Sequence, residues 1–150
     1  MKINIFYIQK DKNKSELEKK YEKLLLTLVA FSSNNCFNKK IANAQSQNEK
    51  IAQSEYENIY LQSSKKSFSI ALSEEAKELN SFEFAKLLSD KQECSFFIGG
   101  AYGLSDSFKD KCDVCISLSK LTTTHELARI FLLEQIYRAL CINSNHPYHK

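Results

Sequence analysis

The sequence of 150 residues contains few of the residues that interrupt regular structure. It has three glycines, one proline and no tryptophan. Such a composition excludes collagen-like chains and Pro/Gly-rich disordered chains. The glycines Gly99, Gly100 and Gly103 fall within five residues of one another, which predicts a local backbone that other residues adopt poorly.

Long apolar runs are absent as well. No run approaches the roughly 20 residues of a membrane-spanning helix, and the opening MKINIFYIQK lacks the apolar segment of a secretion signal. We therefore expect a cytoplasmic protein without a membrane segment, folded as one domain over residues 1–150. The net charge of +3 is too mild to identify a nucleic-acid-binding protein by itself.

Cysteine is present five times, and an odd count without an export signal fits a reducing compartment. Cys112 and Cys115 form a CxxC pair, which occurs in redox centres and in zinc sites. Structural zinc needs four ligands and no second pair follows, so we expect no metal site. Because Cys115 also begins an apolar run, we favour burial over redox chemistry for this pair.

Strand and helix patterns alternate along the chain, which predicts an α/β fold with a parallel sheet. Ser15, Ser81 and Thr124 have side chains suited to capping helix N-termini. The predicted strands are Lys2–Ile8, Ser67–Leu72, Glu93–Ile98 and Val114–Leu118, with a short one near Cys36–Ala42 in a polar segment. The predicted helices are Glu16–Phe31, Gln47–Leu61, Ser81–Ser89, Asp106–Lys111 and Glu126–Ile142.

The segment FFIGGAYGLS leads from a predicted buried strand into a helix. Parallel sheets bind ligands at the carboxyl ends of their strands, and glycine permits a ligand or another backbone to approach closely. A ligand site and a plain tight turn are equally compatible with this segment. Its spacing is neither that of a dinucleotide-binding GxGxxG nor that of a P-loop.

A second loop, LSKLTTT over residues 118–124, follows a predicted strand and precedes the last helix. Its hydroxyl groups and the unpaired N–H groups of the helix start are possible ligand donors. On local grounds alone, an ordinary capped helix start is the favoured interpretation.

Four segments taken together resemble the RlmH family of SPOUT methyltransferases in order and spacing: IGGAYGLS, LSKLTTTHELAR, EQIYRA and HPYHK. The resemblance implies an α/β fold with a parallel sheet and a C-terminal trefoil knot, which composition could not indicate. It also implies a homodimer that transfers a methyl group from S-adenosylmethionine to N3 of a pseudouridine in large-subunit (ribosomal) RNA.

The resemblance assigns residues at strand ends and in both loops to S-adenosylmethionine. These are Leu72, Gly99, Gly100, Gly103, Leu118, Ser119, Lys120, Leu121, Thr122 and Thr123.

Methylation of a ring nitrogen requires that its proton leave, and a histidine is a natural base near neutral pH. We expect His125 in the last helix, together with Tyr148 and His149 in the tail, to take part in catalysis. Tyr148 could stack on a splayed base. The alternatives are that His125 only bonds the helix start and that the tail is a solvated end. The candidates for RNA contact are Arg129, Arg138, His146 and Lys150, although Arg138 could instead pair with Glu134 along the helix.

The helix predicted over Glu126–Ile142 is apolar nearly all round, so it must be buried within the monomer or at an interface between two copies. The family resemblance favours the interface. Two other functions are open from the sequence: a non-catalytic ribosome-binding or assembly protein of the same fold, and a small redox protein that uses Cys112 and Cys115. Binding of S-adenosylmethionine would exclude the first, and a depressed thiol pKa would support the second.

Overall fold

A computed structural model describes residues 1–63 and 67–150. The described residues form five strands and six helices. The strands are β1 (Lys2–Tyr7), β2 (Ala30–Asn35), β3 (Phe68–Glu78), β4 (Glu93–Phe97) and β5 (Val114–Ser117). The helices are α1 (Glu16–Leu26), α2 (Lys39–Gln47), α3 (Glu49–Ser63), α4 (Ser81–Leu88), α5 (Asp106–Lys111) and α6 (His125–Asn143). Within these residues, no helix combines the length and apolar character that a membrane crossing requires.

The strands form a single sheet in the order β2-β1-β4-β3-β5. Every neighbouring pair is parallel, which confirms the predicted α/β class. In a parallel sheet all strands end at the same side, which we call the carboxyl edge. The loops that follow β1, β2, β4 and β5 therefore lie along that edge, where α/β proteins bind ligands.

Helices cover both faces of the sheet, because successive strand residues point to opposite sides. Phe96 belongs to the core beneath α1, α4 and α6, whereas its neighbour Phe97 belongs to the core beneath α2, α3 and α5. In β3, Ile70 likewise belongs to the first of these cores and Ala71 to the second. The result is a three-layer arrangement in which both faces of the central strands are buried.

The structure corrects two predictions in the first third of the chain. The helix predicted over Glu16–Phe31 is capped by Ser15, as expected, but it ends at Leu26, and β2 begins at Ala30. The strand predicted near Cys36–Ala42 is wrong: Asn38 accepts a hydrogen bond from the N–H of Ile41 (2.9 Å) and starts helix α2 there. An Asn N-cap three residues before an apolar residue was the signal for this helix.

The later elements agree with prediction to within a few residues, with two exceptions. β3 continues past Leu72 to Glu78, with a register shift against β5 between Leu72 and Lys77. Helix α4 is capped by Asn80 rather than Ser81, because Asn80 and Glu83 form a reciprocal capping box. The Thr124 cap of α6 is confirmed by the bond from the N–H of Leu127 to its hydroxyl (3.3 Å).

A buried ion pair joins α1 to α6. Arg129 donates from Nε to Glu18 at 2.8 Å and from Nη2 at 3.3 Å, and its guanidinium lies 4.4 Å from the ring centre of Tyr7. Glu18 is 0% exposed and Arg129 is 1% exposed. The arginine predicted to contact RNA is thus enclosed in the protein core and engaged by a carboxylate.

The variant Glu18→Gln should lose about 3–5 kcal/mol of unfolding free energy, because it leaves the Arg129 cation buried without its counter-charge. Urea denaturation followed by circular dichroism measures this loss. The matched control is Glu16→Gln, since Glu16 pairs with Lys19 on the surface, where water and salt screen the charges. Equal stability of the two variants would contradict this account of the pair.

Candidate active site

A cleft of about 1140 Å³ opens at the carboxyl edge. Its floor and walls come from the middle of β3, the glycine turn after β4, the loop after β5 and the helices α1, α3, α5 and α6. The volume is slightly above the roughly 300–1,000 Å³ typical of small-molecule sites. The cleft is therefore large enough for a cofactor together with part of a second ligand.

The glycine turn, residues 98–104, folds back on itself so closely that position 99 has no room for a side chain. A Cβ atom on Gly99 would lie 2.5 Å from the carbonyl carbon of Gly103, a distance that real Cβ atoms do not show. Gly103 has a φ of 70°, which glycine adopts without strain, and its N–H bonds the Gly100 carbonyl at 3.0 Å. The turn thus exposes main-chain atoms to the cleft.

Helix α3 supports this turn from behind. The hydroxyl of Tyr60 donates to the carbonyl of Ile98 at 2.7 Å, and a Cβ on Gly100 would lie 2.5 Å from the Tyr56 ring. Gln53 donates to the carbonyl of Tyr102 at 2.9 Å. Tyr56 and Tyr60 thus position the turn, a role that no local sequence pattern predicts.

The loop after β5 is tied to the long extension of β3. Thr122 donates to the carboxylate of Glu74 at 2.7 Å, and the N–H of Lys120 donates to Glu78 at 3.0 Å. The ammonium of Lys120 bonds the carbonyls of Glu74 and Ala76, so it braces the wall of the cleft from outside rather than lining it.

The cleft combines carboxylates with apolar surface. Glu74, Glu75 and Asp106 line one wall, and the hydrogen bond from Lys109 keeps the pKa of Asp106 below its usual range. Leu72 and Leu118 line the cleft beside them. Lys109 also lines the cleft and pairs with Asp106 and Glu75. The Glu74 carboxylate beside the two leucines therefore suits a ligand with a positive charge and a flat apolar group.

His125 stands at the first turn of α6 and lines the cleft. The surrounding protein atoms, and secondarily the charge of Arg129, lower the pKa of its imidazole. Its ring is therefore neutral at pH 7 and able to accept a proton.

Tyr148 and His149 lie against the middle of α6. The Tyr148 hydroxyl donates to Glu134 at 3.1 Å, and burial together with this carboxylate raises the pKa of the phenol. His149 Nδ1 lies 3.2 Å from Nη1 of Arg138, and its ring meets Phe82 edge-on at 4.9 Å between centroids. Both residues contact the protein, so the tail is docked rather than frayed.

Glu134 connects the tail to the cleft, because it lines the cleft and also accepts the Tyr148 hydrogen bond. Nε of Arg138 donates to it at 3.0 Å, so the i,i+4 pair considered from the sequence is present. His146 and Lys150 are exposed at the end of the chain.

Most residues predicted to bind the cofactor thus meet in one place, whereas the residues predicted to contact RNA do not line it. The predicted residues that line the cleft are Leu72, Gly99, Gly100, Gly103, Leu118, Ser119, Leu121, Thr122, Thr123 and His125.

The chain is similar along its length to proteins of one family. A family model described as "Predicted SPOUT methyltransferase" matches residues 1–149. A "Ribosomal RNA large subunit methyltransferase H" of Campylobacter jejuni subsp. doylei is 52% identical over 150 residues, covering 100% of both chains. Proteins of the same description from Campylobacter lari and Campylobacter fetus subsp. fetus are 49% and 44% identical, again with full coverage of both chains.

All five thiols are unpaired, and burial raises the pKa of each. Burial raises the pKa of the Cys112 thiol to about 12. A redox CxxC requires the opposite, a lowered thiol pKa.

We therefore expect slow alkylation of the native protein by iodoacetamide at neutral pH, since even an ordinary thiol is only about 3% thiolate at pH 7. Reactivity should rise with pH, because the thiolate fraction grows until the raised pKa is passed. Mass spectrometry counts the labelled cysteines, and urea-unfolded protein is the control. Rapid labelling of Cys112 or Cys115 in the native protein would restore the redox hypothesis.

Proposed function

This chain belongs to the SPOUT methyltransferase family, and we propose that it methylates N3 of a pseudouridine in large-subunit ribosomal RNA. Its activity is that of a ribosomal RNA large subunit methyltransferase, with S-adenosylmethionine as the methyl donor. The observation that carries the proposal is the cleft at the carboxyl edge, whose glycine turn leaves main-chain atoms open to a ligand.

The residues of the cleft fit S-adenosylmethionine. Gly99, Gly100 and Gly103 line the cleft without side chains, so the backbone of the glycine turn can approach an adenosyl group. Leu72 and Leu118 offer apolar surface for a purine, and the carboxylates of Glu74 and Glu75 offer negative charge for an amino group or a sulfonium. The bound cofactor supplies an electrophilic methyl group, while the protein supplies position and electrostatics.

His125 is a group in the cleft that can take the proton from the acceptor nitrogen. Its imidazole is neutral at pH 7 because its pKa is lowered. Tyr148, whose pKa is raised, stays protonated, so it donates hydrogen bonds and offers a ring for stacking on the target base. Glu134 holds Tyr148 beside the cleft. We assign proton removal to His125 and base positioning to Tyr148 and His149.

The protein should act as a homodimer. Three apolar side chains that line the cleft are exposed to water, which is unfavourable: Leu121 is 78%, Leu127 57% and Phe131 43% exposed. Contiguous exposed apolar surface of this kind marks interfaces. A second copy of the chain seated on α6 would bury these side chains.

The variant Phe131→Ser should shift the sedimentation coefficient from a dimer toward a monomer, because it removes an apolar contact near the interface centre. Leu26→Ser is the matched control, since Leu26 is 60% exposed at the end of α1 and does not line the cleft. A wild-type protein that sediments as a monomer at micromolar concentration would exclude the dimer.

A C-terminal trefoil knot is the topology we propose for the chain. The proposal is supported by the hydrogen bonds that tie the loop after β5 to Glu74 and Glu78 of the β3 extension. Since the substrate is ribosomal RNA, we place the protein in the cytoplasm.

The variant Gly99→Ala should weaken S-adenosylmethionine binding by about ten-fold or more, because about 1–3 kcal/mol of overpacking strain must be relieved by moving the turn. Isothermal titration calorimetry measures the affinity. The control Ala30→Ser adds one atom at an exposed position away from the cleft. Wild-type protein that binds no S-adenosylmethionine would favour the non-catalytic alternative.

The variant His125→Asn should lower kcat by about 10²–10⁴-fold, the usual contribution of a general base, with cofactor affinity retained. Because the imidazole pKa is lowered from its usual value of about 6.5, wild-type activity should fall only below that pH, where the imidazole becomes protonated. This loss of activity at acidic pH should be absent in the variant. Retention of full activity and of this loss at acidic pH would remove His125 from the mechanism.

The assay for both the function and the variant uses large ribosomal subunits from cells lacking this protein. Mass spectrometry of the digested RNA should find one pseudouridine without its methyl group. Added wild-type protein and S-adenosylmethionine should restore that group. Unchanged methylation in the cells lacking the protein would overturn the proposed function.

A further inference from the structure

The carboxyl edge carries a group of lysines at its β1–β2 end. Lys10 and Lys12 lie in the loop after β1, and Lys39 and Lys40 begin α2. All four side chains are exposed. Among the described residues, none of them has an ion pair or a side-chain hydrogen bond, and we call these four residues the lysine surface.

The two segments that carry the lysines are fastened together. The side chain of Asn35 donates to the carbonyl of Gln9 at 2.7 Å and accepts from its N–H at 3.1 Å. The N–H of Cys36 donates to the carbonyl of Tyr7 at 2.7 Å. Lys10 follows Gln9 directly, and Lys39 lies three residues after Cys36, so the two lysine-bearing segments begin next to each other at the carboxyl ends of β1 and β2.

The lysine surface differs from the other lysines near the cleft. Lys14 pairs with Glu22 at 2.6 Å and Lys109 pairs with Asp106 at 2.7 Å. One opposing charge lies within the lysine surface, that of Asp11, which accepts a bond from the N–H of Asn13. The surface therefore retains an uncompensated positive charge.

Two of the lysines are placed where they do not stabilise their own helix. Cations at a helix N-terminus oppose the helix dipole by about 0.3–1 kcal/mol each. Helices α1, α5 and α6 have an acidic residue in the first turn, whereas α2 has none and begins with Lys39 and Lys40. These two cations thus lack a structural role in the monomer, which points to an anionic partner.

We propose that the lysine surface binds the phosphate backbone of the substrate RNA. The inference rests on the proposed function and adds the direction from which the RNA approaches. On the β3–α5 side of the cleft, Glu74 is negatively charged and Lys109 is already paired with Asp106 and Glu75, so that side offers phosphate no free cation. The backbone therefore runs along the β1–β2 end, and the target base turns from there into the cleft past Leu17 of α1.

This assignment replaces the arginines considered from the sequence. Arg129 is buried against Glu18, and Arg138 is bonded to Glu134 and adjoins His149. Neither guanidinium is available as a free cation, whereas all four ammonium groups of the lysine surface face solvent.

The test uses two double variants, Lys10→Gln with Lys12→Gln, and Lys39→Gln with Lys40→Gln. The control, Lys23→Gln with Lys86→Gln, removes the same charge. Lys23 and Lys86 are exposed in the last turns of α1 and α4, far from the carboxyl edge. Methylation of large ribosomal subunits from cells lacking the protein is followed between about 50 and 200 mM salt.

We expect each double variant to raise KM for the ribosomal subunits by roughly ten-fold near 100 mM salt, because phosphate contacts are lost. Each lost contact should reduce the slope of log KM against log salt by about 0.7–0.9. The dependence of log KM on log salt should flatten accordingly. KM for S-adenosylmethionine, kcat and all control values should stay within about two-fold, as is usual for surface substitutions.

Values of KM and salt slope equal to those of the control would overturn the proposal. So would an effect seen with intact subunits but not with protein-free ribosomal RNA, because the surface would then bind a ribosomal protein. Cosedimentation of wild type and variants with the subunits measures binding without turnover. An inactive wild-type protein that still shows the lysine-dependent binding would contradict the proposed function and leave this inference standing.

Discussion

The close approach of the backbone at Gly99 to Gly103 determines the shape of the cleft. At this point the chain leaves β4, folds back on itself and enters α5, with no room for a Cβ atom at Gly99. Tyr56 presses on Gly100 from the side of α3, and Tyr60 bonds the carbonyl of Ile98. The turn is thus held by packing and hydrogen bonds from α3, which lies on the face of the sheet covered by α2, α3 and α5. Because interiors are close-packed, a change in α3 would reach the ligand side of the turn.

Helix α6 connects the functional parts of the molecule. Its first turn presents His125 to the cleft, its next turn fixes Arg129 in the core, and Glu134 further along holds both Arg138 and Tyr148. The buried pair with Glu18 sets the rotation of the helix, since any other rotation would leave an unpaired charge in the core. The same pairing keeps a cation close to His125 and so contributes to its lowered pKa. A single helix therefore sets both the position and the protonation state of the candidate base.

The sequence predicted the parts of the fold that local pattern governs. Strongly periodic segments, such as the apolar strand before Gly99 and the helix after Thr124, were located to within a residue or two. β2 was missed because its sequence AFSSNN is largely polar, and its Ser32 instead bonds Asn4 on the neighbouring strand. The burial of Arg129 depends on Glu18, 111 residues earlier, and no local pattern reports such a pairing. The residues predicted to bind the cofactor were identified by the family resemblance. The support of the turn by Tyr56 and Tyr60 was not predicted, because it depends on contacts between segments far apart in the chain.

The distribution of charge explains why the net value of +3 says little about the substrate. A methyltransferase that acts on RNA must attract a cationic cofactor and a polyanion to adjacent places. Carboxylates on the β3–α5 side of the cleft suit the first requirement, and the unpaired lysines at the β1–β2 end suit the second. The two groups carry opposite charges at different ends of the carboxyl edge, so they offset each other in the net charge. Since screening limits such effects to about 8–10 Å at physiological salt, it is the local arrangement of charge at this edge, rather than the total, that selects the ligand.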